Sequence, residues 1–199
     1  ASPAPLEHLA KTEAIDAIYS TFSPPSNHWL ALMLKERTGL PWVADFRDLW
    51  VDDCRYAEVD ADRARAHRTL QQQILETADV VVGVTPSQTA ILAQHVQDQR
   101  WKFSTITNGF DPADFGHVRS YRRADRDRFV LAHVGRLDKC RASENLLRGL
   151  GQFVAELGSD RRRFEFRVVG HATPSTLRRI EDAKIPYTFV PYVPHRDAV

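Results

Sequence analysis

The stretch that decides the fold is Pro41–Trp50, PWVADFRDLW, whose first half is apolar except for Asp45. A short apolar run that follows a helix-ending glycine, Gly39, predicts a central parallel β-strand. Ligand chemistry in open α/β sheets gathers at the carboxyl ends of such strands. We therefore take Arg47 and Asp48 as candidate catalytic residues. The alternative is a structural ion-pair cluster of Asp45, Arg47 and Asp48, and of these we expect Asp45 to be structural and Arg47 to face a cleft.

Strands and helices alternate on both sides of this stretch. The first set comprises a strand over 16–22, a helix over 27–38, the strand over 41–47, a helix over 63–77, a strand over 80–84, a helix opened by Thr85-Pro86 and a strand over 103–107. The second set comprises a strand over 129–134, a helix over 143–157, a strand over 164–169, a helix opened by Thr173-Pro174 and a strand over 187–190. This alternation predicts parallel sheets covered on both faces. The expected fold class is α/β with two Rossmann-like pieces, 1–115 and 129–199, joined by a polar linker over 116–128.

Composition excludes several classes of protein. The 199 residues include 27 basic and 26 acidic side chains, so no overall charge favours nucleic acid as a partner. No apolar run approaches the roughly 20 residues that a membrane-spanning helix needs. The two cysteines, Cys54 and Cys140, lack metal-ligand spacing and predict free thiols in a reducing cytoplasm.

A cationic segment follows the first strand of the second set. Gly135 would let the backbone approach a ligand, while Arg136, Lys139 and Arg141 supply positive charge just before a helix that Ser143 opens. Such a segment can bind a diphosphate at the helix N-terminus. An ordinary glycine turn is the alternative.

A third group of candidates belongs to the acceptor side of a cleft that the two pieces would border together. Its members are Ser26, Asn27, His28, Trp50 and Asn108. We expect Ser26 to cap the helix that follows it. His28 is as consistent with a plain surface position, and the four tryptophans are more typical of a core, with Trp50 the best candidate for stacking on a sugar.

Four segments together resemble a known family. They are SPPSNHWLALMLKERTGLPWVADFRDLW at 23–50, ILETADVVVGVTPS at 74–87, ITNGFDPADF at 106–115 and VGRLDKCRASENLLRGL at 134–150. In order and spacing they resemble glycosyltransferases of the GT-B fold, in the retaining family 4 group, over about residues 16–199. The combination of ADFRDLW with ITNGFDPADF is the specific part of the resemblance.

The resemblance implies a GT-B architecture with an N-terminal acceptor domain and a C-terminal domain for a nucleotide-sugar donor. Arg136 stands at the family's diphosphate-binding arginine, and Lys139 or Arg141 stands near its second cation, although the spacing departs from the family's pattern. Arg47 stands where many relatives have a histidine, so a histidine-based role does not transfer. Arg and Lys would neutralise the leaving diphosphate, and neither a metal nor another cofactor is expected.

The implied function is transfer of a sugar to an acceptor hydroxyl with retention of configuration. The acceptor would be a saccharide, a lipid-linked molecule or a small molecule, and the protein would be cytoplasmic, with contact at the inner face of the membrane as an option. The alternatives are a non-catalytic module that binds nucleotide or serves as a scaffold, and a GT-B relative such as a nucleotide-sugar epimerase.

The family's glycine-rich loop would precede residue 1 and its ribose-binding stretch would follow Val199. The resemblance therefore implies a central portion of an enzyme, truncated at both ends and inactive alone.

Overall fold

The structure is a computed structural model that describes residues 4–53, 56, 59–116, 127–138 and 141–198. The chain forms two compact units, Ala1–Gly109 and Phe110–Val199. Most of the linker predicted over 116–128 lies outside the described residues, and the domain boundary predicted at residue 115 stays a prediction. Each unit is described separately below.

The first unit contains one parallel sheet with the strand order β1-β2-β3-β4. Its elements are α1 (Ala4–Thr12), β1 (Ile18–Phe22), α2 (Pro25–Thr38), β2 (Trp42–Phe46), α3 (Ala61–Thr77), β3 (Val80–Gly83), α4 (Pro86–Gln94), a 3-10 helix (Gln97–Lys102) and β4 (Phe103–Thr105). The stretch Pro41–Trp50 thus supplies a central strand, as the sequence predicts, with β1 on one side and β3 on the other.

Local signals set the ends of the helices. Gly39 ends α2 in the left-handed conformation, with φ of 71°, which glycine adopts without steric cost. The hydroxyl of Thr85 accepts a hydrogen bond from the backbone N–H of Gln88 and caps α4. The predicted cap at Ser26 is wrong: α2 begins at Pro25, after Pro24, and no side chain caps it. Proline suits a first helical position because the missing N–H would have no partner there.

Among the described residues of the first unit, the helices that connect the strands cover one face of the sheet, whereas the sequence analysis expected helices on both faces. The strand order never reverses, and right-handed crossovers then place all the connecting helices on the same side. The burial pattern agrees, because Trp42, Ala44 and Phe46 of β2 are fully buried while Val43 and Asp45 between them are partly exposed. Within this unit, the face that carries Val43 and Asp45 therefore has side chains that are partly accessible to solvent.

The second unit contains a parallel sheet with the order β5-β6-β7. Its elements are a 3-10 turn (Pro112–Phe115), β5 (Phe129–Leu137), α5 (Glu144–Glu156), a 3-10 helix (Gly158–Arg163), β6 (Phe164–Ala172), α6 (Pro174–Asp182), β7 (Tyr187–Val190) and α7 (His195–Ala198). Phe164, Phe166 and Val168 of β6 are buried, whereas Val130 and Val134 of the edge strand β5 remain exposed. The edge strand β5 is therefore the least buried strand of this sheet.

Strand β5 continues through Gly135 and Arg136 to Leu137, beyond the end predicted at residue 134, so Gly135 does not form the glycine turn that was the alternative to a diphosphate site. Gly135 lies opposite Gly170 of β6, and their φ angles are 121° and 120°. A Cβ on Gly170 would lie 2.5 Å from the carbonyl oxygen of Gly135. The two strands approach too closely here for any larger residue at position 170.

In the part of the chain that the structure describes, we find no helix with the length and apolarity needed to cross a membrane.

Candidate functional site

A cavity of about 280 Å³ opens at the carboxyl edge of the first sheet, on the face that carries Asp45. Its lining includes Tyr19 of β1, Asp45 and Arg47 at the end of β2, and Thr107 and Asn108 after β4. Two residues that the sequence predicts for different parts of the site, Arg47 and Asn108, therefore line one cavity. Parallel strands bring their carboxyl ends to one edge, which explains why residues 61 positions apart meet.

Asp45 is held by hydroxyl groups at this cavity. Its Oδ2 accepts a hydrogen bond from the Tyr19 hydroxyl at 2.6 Å and another from the Thr21 hydroxyl at 3.3 Å. The hydrogen bond to Asp45 raises the pKa of Tyr19, with burial and the carboxylate's charge adding to it. Asp45 is thus bonded to hydroxyls of β1, where the sequence analysis left an ion-pair cluster with Arg47 and Asp48 as an alternative.

Arg47 and Asp48 follow β2 and are both exposed. Arg47 contributes a guanidinium to the cavity, and its positive charge acts against the rise in the pKa of Tyr19. The site thus has a carboxylate on the strand and a cation just beyond it. The catalytic role predicted for Arg47 and Asp48 stays a prediction.

His28 is fully buried, so the expected position in an acceptor cleft is wrong, and so is the plain surface position. Its Nδ1 lies 2.7 Å from the Ser20 hydroxyl oxygen, which also accepts a hydrogen bond from Nε1 of Trp42 at 2.8 Å. Burial lowers the pKa of His28 to about 4, a shift that the charge of Asp45 opposes. His28 is a neutral member of the core.

Trp50 is buried as well, which corrects its assignment as a sugar-stacking residue. Its ring stacks on Phe22 at a centroid distance of 5.8 Å, and its Nε1 donates a hydrogen bond to Nδ1 of His67 at 3.3 Å. Of the remaining acceptor-side candidates, Ser26 is exposed, and the Asn27 amide donates to the Thr21 carbonyl at 3.1 Å. This hydrogen bond connects the first turn of α2 to β1.

In the second unit, two of the predicted diphosphate-binding cations share a carboxylate. Nε of Arg136 lies 3.5 Å from Oδ2 of Asp138, and Nη1 of Arg141 lies 2.8 Å from the same oxygen. Both guanidinium groups are more than half exposed. Ser143 accepts a hydrogen bond from the N–H of Leu146 and caps α5, as expected for a helix that begins just after the cations. Lys139 lies outside the described residues.

Tyr19 is the site residue that the sequence analysis missed. Within β1 the residues Ile18, Ser20 and Phe22 are buried, while Tyr19 and Thr21 point to the other face. This period-two alternation is visible in the sequence IYSTF and could have placed Tyr19 on the face opposite the buried residues. The side of the sheet that the helices cover, however, depends on the strand order.

A larger groove of about 430 Å³ lies between α1, β1 and α2. Its lining is mainly apolar, with Leu6, Leu9, Ile15 and Leu30 among its residues. The smaller cavity is the better candidate site because it combines a carboxylate, a guanidinium and an amide. Among the residues described here, no three His, Cys, Asp or Glu side chains are grouped as metal ligands, and metal-free chemistry stays a prediction.

Comparison with known proteins gives a family match that includes the whole cavity. Residues 1–109, more than half of the chain, match the model of the glycosyl transferase 4-like domain. Among curated proteins, the D-inositol 3-phosphate glycosyltransferase of Streptosporangium roseum is 27% identical over 164 residues, which are 77% of this chain and 38% of the relative. The protein of the same name from Corynebacterium diphtheriae is 27% identical over 163 residues, 75% of this chain and 37% of the relative. The chain therefore spans less than two fifths of the length of these relatives.

Solved structures share the fold at low sequence identity. The crystal structure of Anabaena HepE in complex with UDP has a TM-score of 0.62 and 15% identity, and the match covers 97% of this chain and 52% of that one. A putative UDP-N-acetylglucosamine 2-epimerase of Listeria monocytogenes has a TM-score of 0.52 and 12% identity, covering 98% of this chain and 52% of that one. The predicted fold class, α/β with two Rossmann-like parallel-sheet pieces of the GT-B type, is confirmed.

Proposed function

Because this chain belongs to the glycosyl transferase 4-like family, we propose that the protein transfers a sugar from a nucleotide-sugar donor to a hydroxyl group of an acceptor. The observation that best supports the proposal is that the family match includes the whole cavity lined by Asp45, Arg47 and Asn108. The cavity lies at the sheet edge where α/β folds bind their ligands.

The donor side of the proposal rests on the second unit. Arg136 and Arg141 supply two exposed guanidinium groups at the end of β5, and α5 begins immediately afterwards. Guanidinium groups form paired, charge-assisted hydrogen bonds with phosphate oxygens, and a helix N-terminus adds backbone N–H donors. We assign the donor diphosphate to these groups, with Gly135 allowing close approach and Lys139 as a further cation. The HepE structure, which has a similar fold, was solved in complex with UDP. We therefore propose a uridine nucleotide as the carrier of the donor sugar.

The acceptor side rests on the cavity of the first unit. The carboxylate of Asp45 can accept a hydrogen bond from an acceptor hydroxyl, and the Asn108 amide offers both a donor and an acceptor. We assign the catalytic roles at this cavity to Arg47 and Asp48, because a guanidinium can stabilise negative charge that develops beside it. Retention of configuration, a metal-free mechanism, a cytoplasmic location and contact with a membrane surface all belong to this proposal.

The test combines binding with turnover in the intact protein. Calorimetric titration with uridine diphosphate should give saturable binding, and incubation with a panel of UDP-sugars and acceptors should release UDP. Nuclear magnetic resonance of the product should show the anomeric configuration of the donor. Nucleotide binding with no turnover under any condition would favour the alternative, a non-catalytic nucleotide-binding module. Interconversion of the donor sugar without transfer would favour an epimerase.

A further inference from the structure

The side-chain amide of Gln88, in the first turn of α4, connects the ends of two neighbouring strands. Phe46 and Gly83 are the last paired residues of β2 and β3. Nε2 of Gln88 donates a hydrogen bond to the carbonyl oxygen of Phe46 at 2.8 Å, and its Oε1 accepts a longer one, at 3.4 Å, from the backbone N–H of Val84. The amide thus joins β2 to β3 just beyond their last pair, with one donor and one acceptor as a peptide group has.

These two hydrogen bonds act on the backbone that lines the cavity at the carboxyl edge of the first sheet. The carbonyl group of Phe46 belongs to the planar peptide group that contains the nitrogen of Arg47, so a bond to that oxygen fixes the direction in which the chain enters Arg47. Arg47 and Val84 are lining residues of the cavity, whereas Gln88 is not. Gln88 is itself buried, with 7% of its surface exposed. It can therefore orient Arg47 without contacting a ligand.

The first turn of α4 also holds the neighbouring strand ends. The hydroxyl of Thr89 donates to the carbonyl of Thr85, and its oxygen lies 2.8 Å from the hydroxyl oxygen of Thr105 in β4. A Cβ on Gly83, the last residue of β3, would lie 2.6 Å from the same Thr89 oxygen. Gln88 thus belongs to a turn that packs closely on the ends of three strands, which limits the movement of its amide.

We propose, resting on the proposed glycosyl transfer, that Gln88 is a positioning residue of this cavity. Its amide sets the orientation of Arg47 by joining the end of β2 to the end of β3. Turnover then depends on Gln88, although Gln88 touches neither the donor nor the acceptor. The role requires a hydrogen-bond donor and an acceptor together at the end of one buried side chain.

Two substitutions separate this role from simple packing. Gln88→Met keeps an unbranched side chain of similar length and removes both hydrogen bonds. Gln88→Glu keeps the shape, but its carboxyl group can donate to Phe46 and accept from Val84 only when it is protonated. The ionised carboxylate would face the carbonyl oxygen of Phe46 and repel it.

The acidity of the medium therefore controls the second variant. Burial raises the pKa of a carboxyl group above its usual value near 4.3, so the protonated form should gain population between about pH 8 and about pH 5. The wild-type protein is measured at the same two pH values, and each variant is compared with it at each pH. Recovery at the lower pH would show that the hydrogen bonds matter, because the shape of the side chain does not change.

Two measurements on the intact protein follow these variants. Nuclear magnetic resonance records the backbone amide signals of Arg47 and Val84 and the Nε–H signal of the Arg47 guanidinium, with no ligand added. Initial rates of UDP release give kcat and KM for any UDP-sugar and acceptor that the wild-type protein turns over. The first measurement reports the position of Arg47 directly, and the second reports its consequence for the reaction.

We expect Gln88→Met to shift the Arg47 signals at both pH values. Its kcat should fall by about ten- to a hundredfold, as expected when a reacting group is displaced by about 1 Å. KM should change little, because Arg47 is proposed to act on charge that develops in the transition state. Gln88→Glu should resemble Gln88→Met at about pH 8 and approach the wild-type protein at about pH 5.

Lys102→Met is the control for a loss of stability. Lys102 is a buried hydrogen-bond donor in the same unit, but it directly precedes β4 and so lies at the amino edge of the sheet, away from the cavity. The variant should be less stable without a change in the Arg47 signals or in kcat. Denaturant unfolding followed by tryptophan fluorescence compares the stabilities, because all four tryptophans lie within residues 1–109.

The outcomes separate this inference from the proposed function. Unchanged Arg47 signals in Gln88→Met, or signals in Gln88→Glu that do not recover at the lower pH, would overturn the inference. If transfer proceeds with a wild-type kcat in Gln88→Met, or if Lys102→Met lowers kcat equally, glycosyl transfer stands and the inference fails. If the Arg47 signals follow the protonation of the introduced carboxyl group but no donor is ever turned over, the positioning of Arg47 stands and the transfer function fails.

Discussion

Nδ1 of His28 lies 2.7 Å from the hydroxyl oxygen of Ser20 in the buried core of the first unit. Nε1 of Trp42 donates a hydrogen bond to the same hydroxyl oxygen, which has a second lone pair and a proton available for the hydrogen bond with His28. Nδ1 of His28 is thus hydrogen-bonded, and the other ring nitrogen is Nε2. Among the described residues that nitrogen has no hydrogen-bond partner, so protonating the ring would place a charge in the core.

The first prediction is that the first unit loses stability as the pH falls from about 6.5 to about 4. Burial lowers the pKa of His28 from 6.5 to about 4, so the unfolded chain takes up the proton first. The contribution to stability is complete above pH 6.5 and is lost as the pH falls towards 4. A shift of this size corresponds to about 3 kcal/mol, at 1.36 kcal/mol for each pH unit. Denaturant unfolding followed by tryptophan fluorescence at several pH values measures it.

His28→Gln is the matched variant, since an amide can donate or accept a hydrogen bond with Ser20 but does not titrate in this range. The variant should be less stable at neutral pH, with a flatter dependence on pH than the wild-type protein. If the unfolding free energy changed with pH equally in both proteins, groups other than His28 would cause the acid sensitivity.

The second prediction compares two glycines of the second unit. Gly170→Ala places a Cβ 2.5 Å from the Gly135 carbonyl at a φ of 120°, so we expect a loss of more than about 2 kcal/mol. Gly149→Ala, in the exposed middle of α5 with open space around its Cα, should instead stabilise by roughly 0.5–1 kcal/mol. Hydrogen exchange of the β5 and β6 backbone amides measures the change in stability in each of the two variants. Equal protection in the two variants would contradict the close approach of Gly135 and Gly170.

The third prediction concerns Lys102, a buried lysine at the end of a helix. Its Nζ donates to the carbonyls of Glu76 and Ala78 at 2.9 Å each, at the C-terminal end of α3. Lys102→Met keeps much of the volume but removes both donors, and we expect a loss of about 1–3 kcal/mol in unfolding free energy. Arg100→Met, at an exposed position two residues earlier, should change the stability by less than about 0.5 kcal/mol. A neutral effect of Lys102→Met in denaturant unfolding would argue against this capping role.

Local signals explain which parts of the fold could be predicted from the sequence. Gly39 and Thr85-Pro86 act on the backbone within one helical turn, and the structure places both as predicted. The central strand over Trp42–Phe46 follows from its own apolar run. The side of the first sheet on which the helices lie was missed because it depends on the strand order, to which residues far apart in sequence contribute.

The site also combines features that have local signals in the sequence with features that depend on distant residues. Arg47 and Asn108 lie just after strands, and topology alone brings them to one edge. His28 and Trp50 were misplaced because a histidine in a helix and a tryptophan after a strand give no local sign of burial. These two side chains are buried because Phe22 packs on Trp50, and Trp42 and Phe46 pack on His28. The strand before Gly135 was predicted to end at residue 134, because the residue that pairs with Gly135, Gly170, lies 35 residues away in the sequence.

The last prediction is that Arg136 contributes to diphosphate binding through its forked guanidinium. The group is exposed at the end of β5, and its contact with Asp138, at 3.5 Å, is long enough for a stronger acceptor to replace it. Arg136→Ala should weaken binding of uridine diphosphate by about ten- to a hundredfold, and Arg136→Lys by less, since lysine keeps the charge but loses the paired geometry.

Arg148→Ala is the control for this prediction. Arg148 is an exposed arginine on α5 that bonds to Asn145 one turn away, so its removal alters the net charge of the unit equally without touching the end of β5. Calorimetric titration of the three variants and the wild-type protein measures the affinities at one fixed salt concentration, because screening weakens exposed charges. An equal loss of affinity in Arg136→Ala and Arg148→Ala would mean that net charge, rather than a contact at Arg136, attracts the nucleotide. If affinity falls only when Arg136 is changed, and falls least with lysine, the diphosphate is bound at the end of β5.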